Sequence, residues 1–336
     1  MTAAIPVIAL TGYLGAGKTS LLNHVLQAPG ARIGVVVNDF GDVNVDASLV
    51  TGQVDEPASI TGGCICCLSD EDGLDGALEK LTDPKLALDA IIVEASGLAD
   101  PVAVSRLIRY SGVERVRPGG IVDVIDIGTH FDVVDTGGMP LARYGAASLV
   151  VVNKLDQVCE ADRDVALQRV ESRVRERNPD AHIVGAIGAR IDPTLLYDVA
   201  DAEEDGQLSF RELLLDTGDH PHVHADSVTV TSTGGIDIGA LLDLLEEPPS
   251  GVYRMKGTVA VRYRERERHY LVNVVGPSVH VAAAPPTART NCLVAIGTHL
   301  DVDAIRTRME AALLPHDGPS PAAGVRRLQR YRKLSV

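Results

Sequence analysis

Gly12-Tyr13-Leu14-Gly15-Ala16-Gly17-Lys18-Thr19 is the stretch on which the reading of this chain turns. A short apolar run, Ile5 to Leu10, leads into it. Leu21, Leu22, Val25 and Leu26 follow it at helical spacing. A glycine-rich turn between a buried strand and a helix lets backbone N–H groups close around phosphate oxygens, and the helix N-terminus favours the anion. In this pattern Gly12, Gly15, Ala16, Gly17 and Ser20 shape or line the cradle, Lys18 reaches the terminal phosphates, and the Thr19 hydroxyl faces Mg²⁺.

Further apolar runs take up the period of an α/β sheet. Ile33–Val37 ends in Asn38-Asp39-Phe40-Gly41-Asp42. Asp39 and Asp42 then stand past a strand's carboxyl end, where ligands sit in open sheets, and read either as nucleotide-responsive or metal-ligating groups or as polar turn residues. A third strand, Asp89–Val93, ends in Glu94-Ala-Ser-Gly97-Leu-Ala-Asp100-Pro101. Glu94 is expected to hold Mg²⁺ directly or through water, and Gly97 to let the backbone approach a γ-phosphate. Lys18, Thr19 and Glu94 are the expected catalytic set. Gly120–Ile127 reads as a fourth strand and Ser148–Val152 as a fifth, followed by Asn153-Lys154-Leu-Asp156. A carboxylate such as Asp156 accepts from both N1–H and the exocyclic amine of guanine, and adenine would leave it unpaired. Asp162–Arg177 reads as a charged helix and Ile183–Ile187 as a sixth strand.

Between the phosphate cradle and Glu94 lies Thr61-Gly62-Gly63-Cys64-Ile65-Cys66-Cys67, holding three of the chain's five cysteines. Thiolates suit Zn²⁺ and Co²⁺, and three of them leave a tetrahedral site one ligand short, which suits transfer better than permanent structure. A redox thiol cluster and inert buried cysteines are the competing readings.

At 336 residues the chain has room for two domains, and 45% hydrophobic with 23% charged residues is a soluble globular composition. The odd, crowded cysteine count fits a reducing cytoplasm. No signal peptide or membrane span is expected, and the net charge of −15 argues against nucleic acid as a partner. The expected organisation is a nucleotide domain at 1–200, an acidic and His-rich linker at 201–225, an α+β domain at 226–315 and a flexible basic tail at 316–336. Within the linker, Asp201 to Glu212 resembles an EF-hand loop, but Glu203 stands where Asp or Asn is usual and there is no paired second loop, so an acidic linker is the favoured reading. His220, His222 and His224 would share one face of an extended segment and could collect metal, or form a solvated linker.

In their order, the P-loop, Asn38-Asp39-Phe40-Gly41-Asp42, Gly63-Cys64-Ile65-Cys66-Cys67, Glu94 to Pro101 and Asn153-Lys154-Leu155-Asp156 resemble the CobW family of metal-handling GTPases. The His-rich linker and Tyr253-Arg-Met-Lys-Gly257 share the resemblance. It implies an α/β fold: a SIMIBI-class P-loop G domain with a mostly parallel sheet flanked by helices, then a smaller α+β domain. It further implies GTP with Mg²⁺, slow hydrolysis, and delivery of Zn²⁺ or Co²⁺ to a metal-requiring client, with Glu94 facing Mg²⁺ and Cys64, Cys66 and Cys67 carrying the cargo. A Co²⁺-supplying GTPase of cobalamin biosynthesis and a non-catalytic GTP-binding metal sensor or buffer are the alternatives. A homodimer is one assembly consistent with either. The chain departs from the family in having Asp at 39 and 42 where Glu is frequent, Ala95 where a hydroxyl residue is frequent, and Leu68-Ser69-Asp70-Glu71-Asp72 where a basic residue often follows the cysteines.

Overall fold

The computed structural model describes residues 4–28, 31–38, 58–60, 73–97, 99–139, 141–197, 224–263, 266–284, 291–316, 318 and 320–334. The chain begins with β1 (Ile5–Gly12), α1 (Lys18–Gln27), β2 (Ile33–Asn38), β3 (Ala58–Ile60), α2 (Leu74–Leu81) and β4 (Ala90–Glu94). It continues through α3 (Pro101–Arg109), β5 (Val116–Asp126), β6 (Leu149–Asn153), α4 (Arg163–Arg175) and β7 (His182–Gly185). All seven strands pair in parallel, in the order β3-β2-β4-β1-β5-β6-β7.

Helices cover both faces of this sheet, which is why its strands are continuous apolar runs rather than alternating ones. Neighbouring residues on a strand serve opposite cores. Ile8 and Leu10 of β1 pack with Leu21, Leu22 and Val25 of α1. Val7 and Ala9 pack with Leu78 of α2 and Val104 and Ile108 of α3.

The helix α3 has no counterpart among the expected elements. Asp100 caps it by accepting from Val102 N at 3.0 Å, Pro101 fills its first turn, and Pro101, Val104 and Ile108 are its buried stripe.

The second body comprises β8 (Asp226–Ser232), α5 (Ile238–Glu246), β9 (Val252–Tyr263), β10 (Arg266–Val275), β11 (Ser278–Ala283), β12 (Asn291–Gly297), α6 (Val302–Ala312) and α7 (Ala322–Leu334). Its five antiparallel strands run in the order β11-β10-β9-β12-β8. The basic end of the chain, expected to be flexible, is instead folded through residue 334 as α7. Val325 and Leu328 are buried in the second core, Arg327 bonds Asp243 at 2.8 Å and also pairs with Glu246, and Tyr331 donates to Glu246 at 2.7 Å. Charge alone marks a solvated end, but here apolar residues three apart supply a face to bury.

The two bodies share a packed contact. Tyr253, Val275 and Ile296 join the core that begins under α1. The His182 ring stacks on Tyr253 at 5.2 Å, and the hydroxyls of Tyr253 and Ser148 lie 3.2 Å apart. Arg254 donates to Thr194 O at 3.1 Å. Among the described residues, no helix is long and apolar enough to cross a membrane.

Candidate functional site

The loop between β1 and α1 stands at the carboxyl edge of the parallel sheet, where β4 and β5 flank β1 on its two sides. Ligands of open α/β sheets bind at such an edge. Gly17, at φ 107°, takes the left-handed turn into α1, and a Cβ there would lie 2.3 Å from Asn153 Nδ2. Any larger residue would therefore meet both strain and collision. Lys18 is buried along its own loop, donating to Gly12 O at 3.1 Å and Tyr13 O at 3.4 Å. Leu14, at the tip of the loop, is 79% exposed, and Ser20 faces outward on the first turn of α1.

Pairing of β1 with β4 sets Leu10 against Glu94, which delivers the carboxylate beside the loop. Thr19 Oγ1 donates to Glu94 Oε1 at 2.7 Å. Glu94 is only 2% exposed, and its Oε2 is buried and makes no hydrogen bond among the described residues. A hydroxyl with a buried carboxylate is a hard-oxygen set that fits Mg²⁺. Gly97 lies against the loop: a Cβ there would come within 2.8 Å of Leu14 N.

On the other flank, Asn153 is a two-way strut. Its Nδ2 donates to Ala16 O at 2.9 Å, and its Oδ1 accepts from Ala189 N at 2.8 Å. Lys154 adopts a left-handed backbone at φ 64°, and its ammonium reaches Asp126 Oδ2 at 2.7 Å. Asp156 follows on the short helix Leu155–Gln157 and is exposed. Thus the structure brings Lys18, Thr19, Glu94 and Gly97 to one side of the loop, and Asn153 and Lys154 to the other.

Several residues of this assembly went unnoticed in the sequence. Asp123 is fully buried under the loop, accepting from Thr11 Oγ1 at 2.9 Å and from Arg143 at 2.7 and 2.9 Å. The turn carrying Ala189, whose φ is 57°, and Asp126 at the end of β5 were likewise missed. An aspartate inside the apolar run Ile121–Ile127 was the available signal for Asp123, because a buried carboxylate needs a partner.

Beside this lies a buried polar network. Tyr144 donates to Asp135 Oδ2 at 2.8 Å, and its oxygen lies 2.6 Å from His130 Nε2. The hydroxyl's single proton goes to the carboxylate, so His130 donates from Nε2. Arg173 binds both oxygens of Asp135, at 2.9 and 3.1 Å, and holds that carboxyl below its ordinary range. Burial lowers the affinity of His130 for a proton, while burial and then Asp135 raise that of the Tyr144 hydroxyl.

Asp39, Asp42, Cys64, Cys66, Cys67, the 201–212 segment, His220 and His222 lie outside the described residues. His224 is exposed just ahead of β8. Among the described residues no three His, Cys, Asp or Glu side chains gather as a metal site.

Residues 6–185 match the model of the CobW/HypB/UreG nucleotide-binding domain, and residues 225–313 that of the cobalamin synthesis protein cobW C-terminal domain. The chain is similar to a zinc chaperone CobW from a Sinorhizobium species, at 28% identity across 91% of this chain and 97% of that one. It is 30% identical to the zinc chaperone CobW of Pseudomonas aeruginosa across 93% of this chain and 92% of that one. With the zinc chaperone YjiA of Escherichia coli it shares 31% identity over 52% of this chain and 56% of that protein. The loop at Gly12–Thr19, the sheet that carries it and the two consecutive family matches together make this chain a member of the CobW/HypB/UreG family of P-loop nucleotide-binding proteins, with a cobW-type C-terminal domain.

Proposed function

We propose that this chain is a GTP-hydrolysing metallochaperone that takes up Zn²⁺, or Co²⁺, through Cys64, Cys66 and Cys67 and releases it to a metal-requiring client. The observation that carries the reading is the Thr19–Glu94 contact at 2.7 Å, which sets a buried carboxylate beside a phosphate loop. Thr19 and Glu94 would hold Mg²⁺, with Asp39 as a further expected ligand; when bound, the ion supplies charge neutralisation to the terminal phosphates. Lys18 adds a buried ammonium for the charge that spreads over the γ-phosphoryl group. No described side chain stands out as a base for the attacking water, so slow turnover is expected. Asp156 would read guanine from an exposed position beside Lys154.

Support for nucleotide-gated cargo comes from connectivity. Ile60, shortly before the cysteines, ends β3 at the same carboxyl edge as Gly12 and Glu94. Relatives named as zinc chaperones favour Zn²⁺ over Co²⁺ as cargo. The test is Zn²⁺ affinity, by chelator competition, with a non-hydrolysable GTP analogue and with GDP. A difference of about tenfold or more is expected, abolished in Cys66→Ala/Cys67→Ala. Equal affinity in the two nucleotide states removes the gating, since a ligand indifferent to two states cannot shift them. Phosphate release measured with and without Zn²⁺ and Co²⁺ separates an enzyme from a GTP-binding metal buffer, which would show no turnover under any of these conditions.

A further inference from the structure

At the amino edge of the parallel sheet, remote from the phosphate loop, the two bodies enclose a cleft of about 370 Å³. Its walls are the last turns of α3, the first part of β5, the 145–148 segment and the turn between β10 and β11. This volume lies within the roughly 300–1,000 Å³ range of small-molecule sites. The floor is apolar, formed in part by Val7, Ile108, Ile121 and Val275.

The charge lining this cleft is one-sided. In a chain with 46 acidic and 31 basic residues, the only charged residues lining it among the described residues are Arg106 and Arg109. They lie three apart on α3 and therefore on one face of the helix. Neither guanidinium has an ion pair or side-chain hydrogen bond among the described residues. Ser105 and Ser278, from opposite walls, also line the cleft with hydroxyls that make no hydrogen bond among the described residues. Such guanidinium forks match a carboxylate or phosphate, which would complete donors that now face only solvent.

The walls are also pre-organised. At its start α3 is capped by Asp100, and just beyond its end Asp75 of α2 accepts from Ser111 Oγ at 2.7 Å and Gly112 N at 3.0 Å. Across the cleft, Ser148 is pinned to Ile121 by bonds of 2.9 and 3.0 Å. A site held open in this way loses little entropy on binding.

We propose that this inter-domain cleft binds a small organic anion with an apolar body, its carboxylate or phosphate held by Arg106 and Arg109 and its body lying on Ile108, Ile121 and Val275. The proposal is independent of the cargo and of GTP hydrolysis.

The probe is 8-anilinonaphthalene-1-sulfonate, titrated by fluorescence into the full chain saturated with Mg²⁺ and GDP so that the phosphate loop is blocked. One saturable site is expected. Octanoate or hexyl phosphate should displace the dye and 1-octanol should not; whichever anion competes better assigns the headgroup. Arg106→Glu/Arg109→Glu should weaken dye binding by about tenfold or more, the loss of two charge-assisted contacts. Ser278→Trp, placed on the wall of the second body, should block the site without touching α3 and covers the case in which the double variant does not fold. Dye affinity within about twofold of wild type in a folded double variant, or displacement by 1-octanol as readily as by octanoate, overturns the proposal.

Discussion

Asn153 shows how one amide can organise a site. It joins the phosphate loop at Ala16 to the turn at Ala189, so that the segment expected to read the base and the segment expected to hold phosphate move as one. Asn153→Ala leaves Ala189 N without its acceptor and Ala16 O without a donor. Nucleotide affinity should fall by about tenfold or more, as read by fluorescent GDP titration. Asp156→Asn tests the base-reading role separately. An amide offers a donor where guanine carries its amine and xanthine an oxygen, so preference should move from GTP towards XTP in competition assays. Unchanged preference would exclude Asp156 from the base site.

Among the elements, the turn-rich segment after β5 and helix α4 are tied through Asp135, a buried carboxylate held by Arg173 and Tyr144. Arg173→Ala would leave that carboxylate with only the Tyr144 hydroxyl and the Gly137 backbone as donors, and should lower the unfolding midpoint in denaturant titration. The helix α7 illustrates the complementary case. Its basic residues read as a solvated tail, yet Val325 and Leu328 face the second core and Arg327 meets two carboxylates of α5. Likewise α3 had legible signals, an Asp–Pro cap and an apolar stripe, but the same residues also close the acidic motif after β4, and that reading prevailed.

For the whole molecule, the contact between the two bodies contains two histidines that burial keeps neutral. Desolvation, then the nearby charges of Arg175 and His299, pushes His182 down to about 4. Desolvation, then Arg117, does the same to His280. A histidine whose folded value lies below its unfolded value of about 6.5 adds stability above that pH and loses it as pH falls toward the folded value. Melting temperature should therefore drop between about pH 6.5 and pH 4. His182→Gln should flatten part of that drop, whereas an unaltered slope would mean that the stacked ring on Tyr253 does not carry the linkage.

The sequence by itself determined the central strands, the phosphate loop, the position of Glu94 at a strand end and the Asn153 to Asp156 segment. These are local patterns: apolar runs of strand length, and glycines where a backbone must turn or come close. Tertiary structure alone decided that Glu94 reaches Thr19, that Asp123 and Arg143 pair beneath the loop, and that Asp126 holds Lys154, because each contact joins residues 20 to 75 positions apart. It also decided that α3 and the β10–β11 turn enclose a cleft lined by two arginines that make no ion pair among the described residues. Strand order and domain packing set such meetings, and neither leaves a periodicity in the chain from which they could be read.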